Sequence, residues 1–267
     1  GDGMLDSVAI GEVFASPPAL AFYDAIVDAD QGEGVAVLFG NYAGDNMNVK
    51  MAVQMAEDDD IEVKYVVAND DVASAPKAVK EQRHGIAGGF FMWKVGGARA
   101  AKGGSLDDVI ASAQNVVNRT KSICVGLEPC VIPALGHSNF KIEDGTMEFG
   151  VGHHGEAGTK VEKLKSASEM AQEMAETILN DFDFEEGKEV AVMLSSLGAT
   201  PVMELYVLYD EVEKVLAKAG HKVWKTYIGN YVTSLDMNGA SLTIVDLDDE
   251  IKELLSEPAV PIGMKNY

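Results

Sequence analysis

The residues of this sequence best suited to chemistry are two histidines set among glycines, in Gly150-Val151-Gly152-His153-His154-Gly155-Glu156-Ala157-Gly158. Glycines in such a run permit positive φ and let a backbone approach a ligand closely, and the ends of strands in α/β sheets are where ligands bind. The segment is read as a ligand-facing turn, the alternative being a turn whose histidines only meet solvent. Zinc would need a third and a fourth ligand; adjacent histidines point different ways and no HxH or HxxxH spacing accompanies them, so no metal site is expected. A second segment, Asn41-Tyr42-Ala43-Gly44-Asp45-Asn46, follows an apolar run and leads into a helical pattern. There Asp45 is placed either as a general base at the mouth of a pocket or as a cap of the helix. In a third, Gly11-Glu12-Val13-Phe14-Ala15-Ser16-Pro17-Pro18, Ser16 is suited to cap the helix that follows and Pro17 to begin it.

Two further polar turns, 195–205 and 229–237, follow apolar runs and suit the wall of a cleft or an interface. The sequence contains no GxxxxGK[ST] loop, no GxGxxG opening a helix after a strand, and no GxSxG elbow. A nucleotide fingerprint and hydrolase chemistry are therefore not indicated.

Alternating apolar runs and helical patterns must position these segments, which is the signature of parallel or mixed sheets covered by helices. Strands are expected at 34–39, 62–67 and 88–92, with helices at 18–28, 46–56 and 106–118. Beyond Arg119 strands are expected at 122–127, 147–152, 189–197, 223–229 and 241–246, and helices at 166–179, 203–219 and 248–255. Ser105 before Leu106-Asp107-Asp108 reads as an N-cap, and Gly220 as a helix stop. The simplest division is two α/β domains, residues 1–120 and 121–267, with mixed sheets flanked by helices.

The 267 residues carry 43 acidic and 21 basic side chains, a formal charge of −22 that repels nucleic-acid phosphates and anionic membrane surfaces. A neutral substrate suits such a chain better than a polyanion. Runs such as Glu57-Asp58-Asp59-Asp60 and Glu185-Glu186 read as solvated faces. Cys124 and Cys130 are expected to be free, buried thiols in a reducing compartment, and with no leader-like start or long apolar run a cytoplasmic protein is expected.

In order and spacing, the blocks GEVFASPP, NYAGD, RHGIAGGFF, PCVIPALG, GVGHHGEAG, SSLGATPVMELY and GNYVTSLDMNGASLTIVDLDDE resemble those of the dihydroxyacetone kinase substrate-binding subunit across nearly the whole chain. The resemblance implies two α/β domains with mixed sheets, a homodimer, and a histidine that adds to the ketone of dihydroxyacetone to form a hemiaminal. The histidine before Gly-Glu in the family motif falls on His154, with His153 in the place of an apolar residue. Asp45 falls on the family aspartate that accepts the proton of the hydroxyl to be phosphorylated. Phe14, Ser16, Gly40, Gly44, Asp45 and His154 are thereby the implied substrate-binding set. ATP or ADP and Mg²⁺ would sit on a partner kinase subunit, replenished by a phosphotransferase system, with no cofactor held by this chain. Three positions depart from the family pattern. Its Gly-Gly-Gly-Ser-Gly-His-Glu-Pro block does not precede Gly1, so the chain is expected to be shortened at its N-terminus; Gly40 replaces a lysine, and Ala157 a proline. The alternative implied by the resemblance is a ketone-binding co-activator without kinase activity.

Overall fold

The computed structural model describes residues 1–138, 140–183 and 187–263. The chain divides into two compact units, and neither is continuous. The first unit comprises Gly1–Asn69, Gly89–Asn118 and the stretch from Asp248; the second comprises Asp70–Gly88 and Arg119–Leu247. The sequence division near residue 120 coincides with one crossing, but residues 70–88 join the later unit and the stretch from Asp248 joins the earlier one. Apolar periodicity cannot report such exchanges, because they depend on partners distant along the chain.

In the first unit, β1 (Val35–Gly40) and β2 (Val63–Ala68) form a parallel pair in the register Val35↔Val63 to Gly40↔Ala68. Parallel neighbours need a crossover, which α2 (Ala43–Asp58) supplies after α1 (Ala19–Ala29) has packed on it. Phe22 and Ile26 of α1, Val49, Ala52 and Ala56 of α2, and Val35, Phe39 and Val63 of the strands form one core. The remaining helices are α3 (Gly89–Ala101), α4 (Leu106–Asn118) and α7 (Asp249–Ser256). Arg99 of α3 and Asn115 of α4 hold the start of α7 through Glu250 (2.5 Å) and Asp248 (2.8 Å).

The strand expected at 88–92 is helix α3. Phe90, Phe91, Met92, Val95 and Ala98 are all buried, so this helix is covered on nearly every side and shows no polar face. A short apolar run is ambiguous between a buried strand and a buried helix. Ser105 caps α4 as expected, exchanging bonds with Asp108, while the N-cap of α1 is Pro18 with no side-chain bond. Ser16 does not cap α1, because its hydroxyl is engaged elsewhere.

The second unit is built on a six-stranded mixed sheet. Its strands are β3 (Thr120–Glu128), β4 (Thr146–Phe149), β5 (Lys160–Lys163), β6 (Glu189–Ser196), β7 (Lys222–Gly229) and β8 (Asn238–Asp246), in the spatial order β5-β4-β3-β8-β6-β7. Only β6 and β7 run parallel, joined by α6 (Val202–Lys218); every other neighbouring pair is antiparallel. Helices α5 (Ala167–Asp181) and α6 pack together over one face, with Met174, Ile178, Leu205 and Leu216 against Ile123, Val192, Leu194 and Leu242. Strand β5 escapes a sequence reading because Lys-Val-Glu-Lys at a sheet edge is exposed and charged. Strand β4 stops at Phe149, short of the expected 152, because Gly150 turns the chain with φ +78°.

Residues 70–88 are anchored to this unit by buried polar groups. Within the segment the Asp70 carboxylate accepts the backbone N–H groups of Ile86 (3.0 Å) and Gly88 (2.7 Å); towards the rest of the unit the Ser122 N–H donates to the Asp70 carbonyl (2.8 Å), the Val72 N–H donates to the Ser122 carbonyl (3.0 Å), and Arg83 makes a bidentate pair with Asp181 at 2.6 and 2.8 Å. Cys124 and Cys130 are buried free thiols. Residues 57–60 are exposed, whereas Glu185-Glu186 lie outside the described residues. Among the described residues no helix is long and apolar enough to cross a membrane.

Candidate functional site

In the first unit the turn from β1 into α2 carries Asp45. Gly40 ends β1 opposite Ala68, the Asn41 N–H continues the ladder to the Ala68 carbonyl at 2.9 Å, and Tyr42 is the N-cap of α2. Asp45 therefore stands in the first helical turn and is not the N-cap residue. Its Oδ1 accepts the Ser16 hydroxyl at 2.9 Å, while Asn48 Nδ2 donates to Ser16 Oγ (3.2 Å) and to the Pro17 carbonyl (2.8 Å). Asn48 thus pins the 11–18 loop to α2 and orients the hydroxyl that faces the carboxylate.

This approach requires a glycine in the helix: a Cβ on Gly44 would stand 2.9 Å from Ser16 Cβ. Phe14, half-buried two residues earlier, has φ 56°. A non-glycine residue held in the left-handed region costs free energy and clusters at binding sites. Phe14, Ser16, Gly40, Gly44 and Asp45 therefore belong to one unit, with Ser16, Gly44 and Asp45 in direct apposition.

In the second unit the loop 150–159 between β4 and β5 carries His154. The Gly150 N–H bonds the Cys124 carbonyl of β3 at 2.7 Å, Gly158 donates to Glu148 Oε1 at 2.6 Å, and Thr159 closes the loop on the Phe149 carbonyl at 2.8 Å. Within this frame Glu156 folds back onto His154, accepting its backbone N–H with Oε2 (2.8 Å) and meeting its Nδ1 with Oε1 (2.9 Å). An ionised carboxylate only accepts, so Nδ1 carries a proton, and in the neutral ring the lone pair is on Nε2. Gly152 makes room for this arrangement, since a Cβ there would stand 2.2 Å from Glu156 Oε2. Burial works to raise the Glu156 carboxyl, but the hydrogen bonds from His154 and from backbone N–H groups, together with electrostatic attraction to the His154 ring, outweigh it and hold the group at about 2. The loop therefore fixes the orientation of the His154 ring through Nδ1.

His153 does something different. It is buried, its Nε2 has no hydrogen-bond partner, and its carbonyl accepts the Ser234 hydroxyl. Burial, with the neighbouring His154 adding to it, pushes the His153 ring down to about 4. The 229–237 turn thus props the histidine loop through Ser234, while Ser195 accepts the Tyr231 and Val232 amides at 3.1 Å. Among the described residues no group of three or more His, Cys, Asp or Glu side chains is arranged to hold a metal ion.

The roles of Glu156 and Asn48 escape a reading by motif. Glu156 gave a signal in its spacing, two residues after a histidine across a glycine turn; Asn48 gave none, because its partners are more than 30 residues away.

The Dak1 domain model matches residues 1–262. The chain is 40% identical over 250 residues to the dihydroxyacetone-binding subunit of a phosphotransferase-system-dependent dihydroxyacetone kinase of Listeria innocua, covering 94% of this chain and 76% of that protein. It is 36% identical to a D-erythrulose kinase of Mycolicibacterium smegmatis, with 97% of this chain aligned to 45% of that longer protein. Among solved structures, the dihydroxyacetone kinase operon co-activator Dha-DhaQ superposes with a TM-score of 0.91 at 29% identity, covering 97% of this chain and 80% of its own.

Proposed function

The chain belongs to the Dak1 domain family, and we propose that within it the chain is a substrate-binding kinase subunit that captures dihydroxyacetone, or a related small hydroxyketone, as a hemiaminal on His154. The observation that carries this reading is the double hold of Glu156 on His154, through the backbone N–H and Nδ1. A small neutral ketone offers few handles for tight binding, and a covalent bond fixes it where hydrogen bonds alone would not. Glycerol, which has no carbonyl, is rejected.

Asp45 is the base for the hydroxyl that is phosphorylated, with Ser16 and Asn48 orienting its carboxylate and Phe14, Gly40 and Gly44 lining the substrate position. Phosphoryl transfer needs positioning and charge neutralisation more than a protein nucleophile. A nucleotide-bearing partner subunit supplies ATP or ADP with Mg²⁺, and two copies of this chain form a homodimer. Gly40, in place of the family's lysine, leaves space for a four-carbon ketose as well as for dihydroxyacetone.

Carbon-13 NMR with dihydroxyacetone labelled at its carbonyl tests the capture. The labelled carbon is expected to move from the ketone to the tetrahedral range with the wild-type chain and to stay a ketone with His154→Ala. A tetrahedral signal that persists in the variant refutes the assignment. The second reading, a ketone-binding co-activator, is favoured by the close superposition on Dha-DhaQ and by the loss of the lysine at Gly40. Formation of dihydroxyacetone phosphate with a nucleotide-loaded partner subunit separates the two: turnover supports the kinase, and capture without turnover the co-activator.

A further inference from the structure

Behind the histidine loop lies a cavity of about 140 Å³. One wall is the loop itself, through Gly150, Gly152, Glu156 and Thr159; the opposite wall is Asp71, Ser74 and His84 from the 70–88 segment. Glu156 therefore has two neighbours, the His154 ring and this cavity, and a second carboxylate lines the far side. We propose that Asp71 is the proton acceptor for covalent capture at His154, reached from Glu156 through water in this cavity. The inference rests on the hemiaminal reading above and assigns where its proton goes.

The chemistry needs a destination for one proton. When Nε2 bonds to the carbonyl carbon, the C=O π bond breaks and the oxygen takes a proton from solvent water, giving the hydroxyl of the hemiaminal. The ring is then an imidazolium with its proton still on Nδ1, and the neutral adduct forms only when that proton leaves. Nδ1 faces Glu156, so the proton passes to this carboxylate, then by water to Asp71, which later returns it to solvent. Glu156 is a poor resting place for it, because the backbone N–H groups that bond its carboxylate favour the ionised form. An acceptor matched to an imidazolium, whose reference value is about 6.5, has to titrate near neutrality.

Asp71 meets that requirement for a physical reason. It is buried with 2% of its surface exposed, its Oδ1 accepts the Ala73 N–H at 3.0 Å, and the Ser74 hydroxyl bonds its backbone carbonyl at 3.0 Å. Burial raises its carboxyl most, the Ala73 N–H lowers it, the adjacent Asp70 raises it and Arg83 lowers it, leaving it at about 7. The other titratable groups around it are His84 and Glu156 across the cavity and the buried Cys124, whose thiol is pushed up first by burial and then by Asp71 itself. Both segments contribute polar groups to the cavity, which is roomy enough for a few ordered waters, each needing two to four polar partners.

The test is the rate of hemiaminal formation between pH 5.5 and 8.5, followed by the same labelled-carbon signal, in the wild type and in Asp71→Asn. Asparagine keeps the oxygen that accepts the Ala73 N–H and cannot take the proton. The ratio of wild-type to variant rate constants, in which any titration common to both cancels, is expected to be near one at pH 5.5. It should rise through about pH 7 to about tenfold or more at pH 8.5. A ratio that stays constant with pH overturns the proposal. Infrared difference spectra of the wild type guard against a variant that fails to fold: a protonated-carboxyl band titrating near pH 7 should change when dihydroxyacetone is added, and its absence also overturns the proposal. If the wild type forms no adduct at all, the hemiaminal reading itself falls; an adduct with a pH-independent ratio sinks the role of Asp71 alone.

Discussion

Replacing Glu156 by Gln tests the feature on which the histidine site depends, because it keeps the shape and removes the charge that His154 Nδ1–H and N–H address. The carboxyl sits at about 2 against an ordinary value of 4.5. That gap of about 2.5 pH units corresponds to at most about 3–4 kcal/mol of folding stability. The side chain is 36% exposed, so solvent screening reduces the expected contribution to about 1–2 kcal/mol. The sign follows from which state binds protons first. As pH falls, the unfolded chain takes up its proton near 4.5 while the folded chain waits until about 2, so the stabilisation is full above 4.5 and lost towards 2. Urea denaturation followed by circular dichroism should therefore find Glu156→Gln about 1–2 kcal/mol less stable than the wild type at pH 7 and nearly equal to it at pH 2.5. An equal deficit at both pH values would mean that the variant disturbs packing and that the charge does not hold the loop.

Three further outcomes are expected. His153→Leu should stabilise the chain, by about 1 kcal/mol at pH 7 from removing a buried nitrogen without a partner. Its advantage should widen as pH falls from 6.5 to about 4, because the unfolded wild type gains a proton that the buried ring refuses; denaturation at pH 7 and pH 5 checks both parts. Arg83→Ala should cost about 3–5 kcal/mol by leaving Asp181 without its buried bidentate partner, and Arg83→Ala combined with Asp181→Ala should lose less than the sum of the single changes. Gly44→Ala would gain about 1 kcal/mol if helix propensity alone mattered. Because the new Cβ would stand 2.9 Å from Ser16, thermal denaturation should show no gain, and the Ser16–Asp45 contact should open.

Much of this protein is set by local pattern. The strands at 35–40 and 63–68, the helices from α4 to α7 and the glycine-flanked histidines all lie where period, caps and turn residues place them, because those signals act within a few residues. The order and spacing of seven short blocks carried the family. Tertiary structure decided the rest. Helix α3 looks like a strand until its neighbours bury it on nearly every side, and β5 looks like a loop until it pairs with β4 at the sheet edge. Residues 70–88 join the second unit because Asp70 and Val72 bond the backbone of Ser122 in β3 and Arg83 finds the Asp181 carboxylate at the end of α5. Ser16 reads as a helix cap in the sequence and becomes the partner of Asp45 only when α2 and the 11–18 loop come together. The glycine turn that carries His154 was legible, but the contact of its ring with Glu156 was not. That depends on the fold of a loop that turns Glu156 back onto Nδ1, and the sequence offers only a glutamate two residues away.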